Sequence, residues 1–136
     1  MKTLFIIRGL PGSGKSSLGE KIAPKRSFSA DDWFETSARA KNKTYSEVFD
    51  PSDLAYAHQR CQERVQAAMT RNFSDVAVCN AFSEQWEVEP YIKICRENGW
   101  DTFVIECQNT FVSVHNVPKE SVEAMKSRWM PIHIEI

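Results

Sequence analysis

The sequence lacks long hydrophobic runs and an excess of charge of either sign. Its first apolar run, residues 4–7, is too short for a signal sequence or a membrane span, and no later run reaches the necessary length. Seventeen Lys and Arg residues are balanced by 18 Asp and Glu residues, which excludes the broad basic surface that dominates non-specific DNA binding. We therefore expect no membrane partner and, at most, a short contact with nucleic acid.

Paired cysteines are also missing. The four cysteines stand singly in apolar surroundings and form no C-x-x-C pair, which argues against a zinc site and against a disulfide framework. Reduced, buried thiols are typical of cytoplasmic proteins, so we expect a cytoplasmic location. These cysteines are Cys61, Cys79, Cys95 and Cys107.

The length and composition are those of one globular domain. The chain has 136 residues, of which 42% are hydrophobic and 26% charged, and it contains no internal repeat or linker. A chain of this size buries a sufficient core without disulfides or metals. We therefore expect a single domain over residues 1–136.

Short apolar runs alternate along the chain with segments of helical period. The predicted strands are 3–7, 27–29, 75–79 and 102–105, and the predicted helices are 15–22, a helix starting at 31, 54–71, 83–97 and a last helix opening at 118–120. This order predicts an α/β fold, a three-layer sandwich around a central, mostly parallel sheet of four or five strands. The polar segment 38–46 is predicted to be a mobile loop, and 109–117 is a polar, β-branched segment.

One motif carries specific chemistry. Residues 9–16 read Gly-Leu-Pro-Gly-Ser-Gly-Lys-Ser and fit the P-loop pattern G-x-x-x-x-G-K-[ST], directly after a predicted strand and before a predicted helix. Backbone N–H groups and the helix N-terminus would hold the phosphates of ATP, with Lys15 reaching the β- and γ-phosphates as a catalytic residue and Ser16 ligating Mg²⁺. The alternative is a glycine-rich turn that matches by chance. The residues predicted to bind the nucleotide are Gly9, Pro11, Gly12, Ser13, Gly14, Lys15, Ser16 and Ser17.

Two adjacent carboxylates follow the second predicted strand. The carboxyl end of a strand beside the P-loop strand is where a base for phosphoryl transfer is expected, so we predict that one of Asp31 and Asp32 faces the phosphate as the base. Asp32 is also a candidate substrate contact. The alternative is that both merely cap the following helix.

Several further residues are candidates for substrate binding. His58 lies in the apolar stripe of the long helix, where a hydrogen-bonded core histidine is the favoured interpretation and a substrate contact the alternative. Arg39 belongs to a basic cluster that could follow a short phosphate backbone or simply be solvated. The aromatic residues Trp33, Phe34 and Tyr45 could stack on a nucleobase or pack in the core.

The combination of these motifs resembles the polynucleotide-kinase-like P-loop ATPases. The resemblance covers nearly the whole chain and implies a P-loop kinase core that phosphorylates a 5′-hydroxyl, with ATP and Mg²⁺ as cofactors and DNA, RNA or a nucleotide as acceptor. It places Asp31 as general base, with Lys15 and Ser16 on the donor phosphates. The residues that carry it are 9–16, Ser-Ala-Asp-Asp-Trp-Phe at 29–34, Ala-His-Gln-Arg-Cys at 57–61, and Trp-Glu at 86–87 before Tyr91.

Three positions depart from that family's pattern. Cys79, followed by Asn80, replaces the usual acidic residue after the third strand, and a thiol is a poor ligand for a hard cation. Phe34 replaces a basic residue that grips the acceptor. The expected lid, residues 108–118, has no Lys or Arg, although lid arginines steady the transferring phosphoryl group in that family. Their place could be taken by Lys119, Lys126 or Arg128 of the last helix. The alternatives to a polynucleotide kinase are therefore a catalytically weakened nucleotide-binding module and a small-metabolite kinase.

Overall fold

The computed structural model describes residues 1–109 and 117–134. Residues 110–116 of the polar segment 109–117 lie outside the described residues. The strands in the described ranges are β1 (Thr3–Gly9), β2 (Ser27–Phe28), β3 (Asp75–Asn80) and β4 (Asp101–Cys107). They form one sheet in the order β2-β3-β1-β4, and all paired neighbours are parallel. This confirms the predicted α/β fold and sheet.

Helices cover both faces of the sheet. One face packs with Ile7 and Ala77 against the helix that follows the P-loop, while the other carries Leu4, Ile6 and Val78 in a larger cluster. The two central strands are buried on both sides, as their Val- and Ile-rich sequences require. The helices are α1 (Lys15–Ile22), α2 (Asp31–Lys41), α3 (Tyr45–Val48), α4 (Leu54–Met69), α5 (Gln85–Asn98) and α6 (Lys119–Ser127).

The apolar stripe predicted for the long helix is present, with one exception. Ala57, Cys61, Val65 and Ala68 are buried at helical spacing against the sheet. Leu54, also expected in this stripe, is 38% exposed, because α4 reaches the core only from Ala57 onward. A 3₁₀ turn at Pro51–Asp53 precedes the helix.

The prediction of a mobile loop at 38–46 is wrong. Helix α2 continues to Lys41 and ends at Asn42, which adopts the left-handed conformation at φ 53°. Helix α3 then begins at Tyr45 behind a capping box, in which Thr44 and Glu47 satisfy each other's backbone N–H groups. Two adjacent sets of capping interactions thus order a polar segment that has no hydrophobic period.

All four cysteines are free; Cys61, Cys79 and Cys95 are buried, as expected, while Cys107 is partly exposed. None of the helices in the described ranges combines the length and the hydropathy needed to cross a membrane.

Candidate active site

The P-loop joins the carboxyl end of β1 to the amino end of α1. Gly12 and Gly14 have φ values of 82° and 94°, in the left-handed region that disfavours a side chain. A Cβ on Gly9 would lie 2.2 Å from Ser13 Oγ and 3.0 Å from the backbone carbonyl oxygen of Cys107, which cannot rotate away, so this position also favours glycine. The three glycines of the motif therefore each meet a steric requirement of the turn.

The loop contains a buried polar atom without a partner. Ser13 is 2% exposed, and its Oγ makes no hydrogen bond to the described residues. A buried hydroxyl left unpaired is destabilising unless a ligand satisfies it. Because this hydroxyl lies beside the N-terminus of α1, the cradle fits an anion such as a phosphate.

Lys15 lies back across the loop. Its Nζ donates hydrogen bonds to the carbonyl oxygens of Gly9 and Leu10, at 2.9 and 3.1 Å. Burial lowers the pKa of Lys15, and the negative charge of Asp31 opposes that shift. The ammonium group is thus held at the phosphate cradle by neutral acceptors, which a polyphosphate would outcompete.

Ser16 faces a cavity of about 180 Å³ that also receives both predicted carboxylates. The Cys79 Sγ atom lines it and lies 3.4 Å from Ser27 Oγ and 3.5 Å from the carbonyl oxygen of Lys15. Burial raises the pKa of Cys79 to about 11, so this thiol stays neutral and is a weak ligand for Mg²⁺. Among the described residues, no group of three or more His, Cys, Asp or Glu side chains is arranged to hold a metal ion.

The two adjacent carboxylates have different partners. Asp32 Oδ2 accepts hydrogen bonds from the backbone N–H of Ser29 and from Arg64 Nη1, both at 2.9 Å. Asp31 Oδ1 accepts a hydrogen bond from Tyr45 Oη at 2.6 Å. Asp32 therefore stabilises the turn at Ser29 and forms an ion pair with Arg64. Asp31 contacts α3 and lines the cavity that Ser16 faces.

Asn80 fixes the turn on which both carboxylates stand. Its Oδ1 accepts hydrogen bonds from the backbone N–H of Ala30 at 2.9 Å and from Ser29 Oγ at 3.4 Å. Its Nδ2 lies 3.9 Å from Cys61 Sγ. The role of Asn80 was not predicted from the sequence, because its contact with Ala30 spans 50 residues and leaves no local signal.

The other candidate substrate residues separate into two groups. His58 is half-buried, and this burial lowers its pKa, while the negative charges of Glu87 and Asp31 oppose the shift. Trp33 is 39% exposed, whereas Phe34 is buried in the core. Arg39 is exposed on α2, eight residues beyond Asp31, and so lies about 12 Å from it along the helix. The structure thus brings His58 and Trp33 toward the carboxylates but not Arg39.

Comparison with known proteins identifies the family. The sequence pattern of the family described as "AAA domain" matches residues 4–110, from β1 to just beyond β4. The chain belongs to this AAA domain family.

Two curated proteins are similar to this AAA domain in sequence. NEDD4-binding protein 2 of Homo sapiens is 26% identical over 135 residues, an alignment that covers 90% of the chain and 7% of that protein. The adenylate kinase isoenzyme 6 homolog of Drosophila melanogaster is 28% identical over 99 residues, covering 70% of the chain and 55% of that protein. The chain therefore spans less than two thirds of the length of either relative.

Solved structures share the fold. The AvrRxo1-ORF1:AvrRxo1-ORF2 complex superimposes with a TM-score of 0.55 at 18% identity, covering 78% of this chain and 37% of that one. The Mycobacterium tuberculosis APS kinase CysC, in complex with AMPPNP and APS, superimposes with a TM-score of 0.51 at 20% identity, covering 90% of this chain and 66% of that one. The AAA domain therefore has the fold of P-loop kinases, as the resemblance noted in the sequence implies.

One buried charge next to the P-loop of this AAA domain was not predicted from the sequence. Arg8, at the end of β1, is 3% exposed and donates from Nε and Nη2 to the carbonyl oxygen of Phe82, at 3.0 and 2.8 Å. Phe82 adopts a φ of 49°. Nη2 of Arg8 also donates to the carbonyl oxygen of Met130 at 2.8 Å, and its guanidinium lies 4.2 Å from the ring centre of Trp129. Arg8 thereby holds the segment after α6 against the sheet; a charged residue inside an apolar strand is the signal that could have pointed to it.

The basic residues suggested as substitutes for lid arginines have other contacts. Arg128 Nε donates to Ser83 Oγ at 3.2 Å, and Lys126 pairs with Glu123 at 3.5 Å. Lys119 is exposed at the start of α6. Most of the predicted lid, 110–116, lies outside the described residues.

Proposed function

We propose that this AAA domain is an ATP-dependent phosphotransferase that moves the γ-phosphoryl group of ATP to a hydroxyl of a nucleic acid or nucleotide, specifically the 5′-hydroxyl of a polynucleotide. The observation that carries the proposal is the cavity shared by Ser16 of the P-loop helix and the Asp31 carboxylate. Such a cavity brings a bound γ-phosphate and a general base to the same space. The extent of the domain, residues 1–136, and a cytoplasmic location are further parts of this proposal.

On the donor side, the P-loop would hold ATP. The unpaired Ser13 hydroxyl, the backbone N–H groups of residues 12–17 and the Lys15 ammonium form the phosphate cradle, and Gly9 and Pro11 shape it. Mg²⁺ fits this donor set only as a complex with ATP, because Ser16 supplies a hydroxyl oxygen and the phosphates supply the remaining charge. When bound, the ion would neutralise charge on the β- and γ-phosphates.

On the acceptor side, Asp31 would act as the general base. The acceptor oxygen bonds to the γ-phosphorus as its proton passes to the carboxylate, and the bond from the γ-phosphorus to the bridging oxygen breaks with both electrons leaving on ADP. Lys15 would stabilise the charge that develops on the phosphates during this step.

A second cavity supports a nucleotide as the acceptor. It measures about 220 Å³, adjoins the first through Ser29 and Asp32, and is walled by the Trp33 indole and two arginines of α4, Arg60 and Arg64. Arg64 pairs with Asp32 at 2.9 Å, and Arg60 pairs with Glu63 at 3.5 Å. An exposed indole beside guanidinium groups suits a ligand that has both an aromatic base and a phosphate. This chemistry favours a nucleotide over a small uncharged metabolite.

Labelled phosphate transfer tests the proposal. The wild-type protein is incubated with Mg²⁺ and γ-labelled ATP, in parallel with Lys15→Ala and Asp31→Asn, and the acceptors are short 5′-hydroxyl DNA and RNA, nucleosides and nucleotides. We expect label on a 5′-hydroxyl with the wild type only. If all these acceptors stay unlabelled while ATP still binds, the proposal of a nucleic-acid or nucleotide kinase is wrong. Small metabolites are then assayed as acceptors, and label on one of them would move the assignment to a metabolite kinase.

Cys79 favours a second candidate function, a catalytically weakened ATP-binding module that regulates or holds a partner. Its neutral thiol lies where a carboxylate would support Mg²⁺. Cys79→Asp restores that carboxylate, and Cys79→Ser is the matched control of similar size without charge. A weakened module gains transfer activity from the Asp variant only, whereas an enzyme adapted to the thiol gains from neither.

A further inference from the structure

Helix α3 reaches the candidate base through one side chain. Tyr45 is the first residue of α3, and its hydroxyl donates the 2.6 Å hydrogen bond to Asp31 Oδ1. Tyr45 and Asp31 are 14 residues apart and belong to different helices. A segment that looks like a polar loop in the sequence thus contributes directly to the site.

The position of the Tyr45 ring is set by packing. The ring lies edge-on to Phe34, with 5.7 Å between centroids, and stacks on Phe49 at 5.8 Å with 19° between the planes. Phe34 is only 1% exposed, so this aromatic group of three is anchored in the core. The capping box of Thr44 fixes the backbone from which the ring projects. The hydroxyl is therefore pre-positioned rather than free to rotate away.

We propose that Tyr45 is a positioning residue, which holds the Asp31 carboxylate through Oδ1 in the orientation in which that carboxylate accepts the proton of the acceptor hydroxyl. This inference rests on the proposed function of Asp31. In the step given above, the proton moves from the acceptor oxygen to the Asp31 carboxylate, and Tyr45 neither gains nor loses one.

The chemistry of the pair fits this role. Burial and the hydrogen bond to Asp31 raise the pKa of Tyr45 above its ordinary value, so the phenol remains a donor at every working pH. A donor on one oxygen of a carboxylate restricts the rotation of that group. The hydrogen bond therefore keeps the base aimed before substrate arrives.

Other charged groups also face Asp31, and the test must hold them constant. Lys15 of α1 and His58 of α4 interact with it electrostatically. Glu20, Asp32 and Glu35 line the same cavity. Tyr45→Phe changes none of these charges and preserves the aromatic packing, so its difference from the wild type isolates the hydroxyl.

The matched control is Tyr56→Phe. Tyr56 is 47% exposed, packs edge-on against Trp33, and makes no hydrogen bond to Asp31 in the described structure. Both variants are first compared with the wild type by thermal unfolding. Transfer kinetics are then measured for the acceptor labelled in the assay above, and they give kcat, the KM for ATP and the KM for the acceptor separately.

We expect Tyr45→Phe to lower kcat about tenfold, the effect of losing one hydrogen bond to a charged group, with the KM for ATP unchanged. The KM for the acceptor should also stay unchanged, because Tyr45 contacts the base and is not among the residues that line the second cavity. Tyr56→Phe should leave kcat at its wild-type value.

The outcomes separate this inference from the proposed function. If kcat of folded Tyr45→Phe equals that of the wild type, the inference is overturned while the proposed function stands. A change confined to the KM values or to thermal stability, with kcat unchanged, also overturns it, because that is the behaviour of a purely structural contact. If the wild type phosphorylates no acceptor, the proposed function fails and the catalytic role of Tyr45 fails with it, while the hydrogen bond stands.

Discussion

The side-chain oxygen of Asn80 accepts the backbone N–H of Ala30 at 2.9 Å. This hydrogen bond joins the end of the central strand β3 to the turn between β2 and α2, across 50 residues of sequence. Since Asp31 follows Ala30 directly, the position of the candidate base depends on an amide at the end of a strand that borders the P-loop strand. The P-loop and the candidate base are therefore both anchored to neighbouring strands of one sheet.

We expect Asn80→Ala to destabilise the protein and to impair transfer. The change leaves the N–H of Ala30 without its partner in a buried turn, which costs about 1–3 kcal/mol of unfolding free energy. It also releases the turn that carries Asp31, so kcat should fall more than the KM for ATP rises. Urea unfolding and transfer kinetics measure the two effects.

Asn98→Ala is the matched control for this variant. Asn98 is exposed near the end of α5, and its side chain donates only to the carbonyl oxygen of Ile94 in the described structure. Its loss should change the unfolding free energy by less than about 0.5 kcal/mol. Equal effects of the two substitutions would contradict the role given to Asn80.

Arg8 should prove necessary for stability rather than for chemistry. Arg8→Met removes the donors for the carbonyl oxygens of Phe82 and Met130, and we expect a loss of about 2–4 kcal/mol in unfolding free energy. Arg8→Lys should recover little of it, because an ammonium group cannot reproduce the forked geometry of guanidinium. Arg71→Met, at an exposed position, is the control. Full recovery in Arg8→Lys would show that charge alone matters at this position.

The sequence predicted the parts of the molecule that depend on local pattern. The strand–P-loop–helix unit of residues 3–22 and the buried stripe of α4 follow from period and motif, and the structure has both. The parallel sheet followed from the alternation of strands and helices.

Contacts between distant residues were not predictable in the same way. Arg8 meets Met130 across 122 residues, and Asn80 meets Ala30 across 50, and neither pairing leaves a periodic trace. Helix α3 is a different case, because the capping-box pattern of Thr44 and Glu47 is visible in the sequence and was outweighed by the polarity of the segment. Because this segment was predicted to be a loop, the contact of Tyr45 with Asp31 was not predicted either.

His58 should make stability depend on pH. Burial lowers its pKa from 6.5 in the folded protein, although the charges of Glu87 and Asp31 oppose the shift. Between the folded-state value and 6.5, the unfolded chain binds a proton that the folded chain does not, so stability falls as the pH decreases through this window and levels off below it. His58→Gln removes this contribution.

Urea unfolding of the wild type and His58→Gln, from about pH 5 to about pH 8, measures the effect. We expect the wild type to lose stability relative to the variant as the pH falls below about 6.5, and the difference to be constant above about pH 7.5. If instead the wild type gains stability relative to the variant on acidification, an ion pair stabilises the protonated form of His58 in the folded protein.

Trp33 distinguishes a polynucleotide acceptor from a smaller one. Its indole is 39% exposed and walls the cavity that contains Arg60 and Arg64, next to the carboxylates. Stacking of a base on an aromatic side chain contributes about 1–3 kcal/mol, so Trp33→Ala should raise the KM for a 5′-hydroxyl oligonucleotide about tenfold. The KM for ATP should stay unchanged, because Trp33 is not among the residues that line the cavity faced by Ser16 of the P-loop.

Trp86→Ala is the matched control for Trp33→Ala, since Trp86 is 69% exposed on α5. If both substitutions leave the KM for the oligonucleotide unchanged, the acceptor does not use this cavity. If only Trp33→Ala raises that KM, and also raises the KM for a mononucleotide acceptor, the base that stacks on Trp33 belongs to the nucleotide that bears the 5′-hydroxyl.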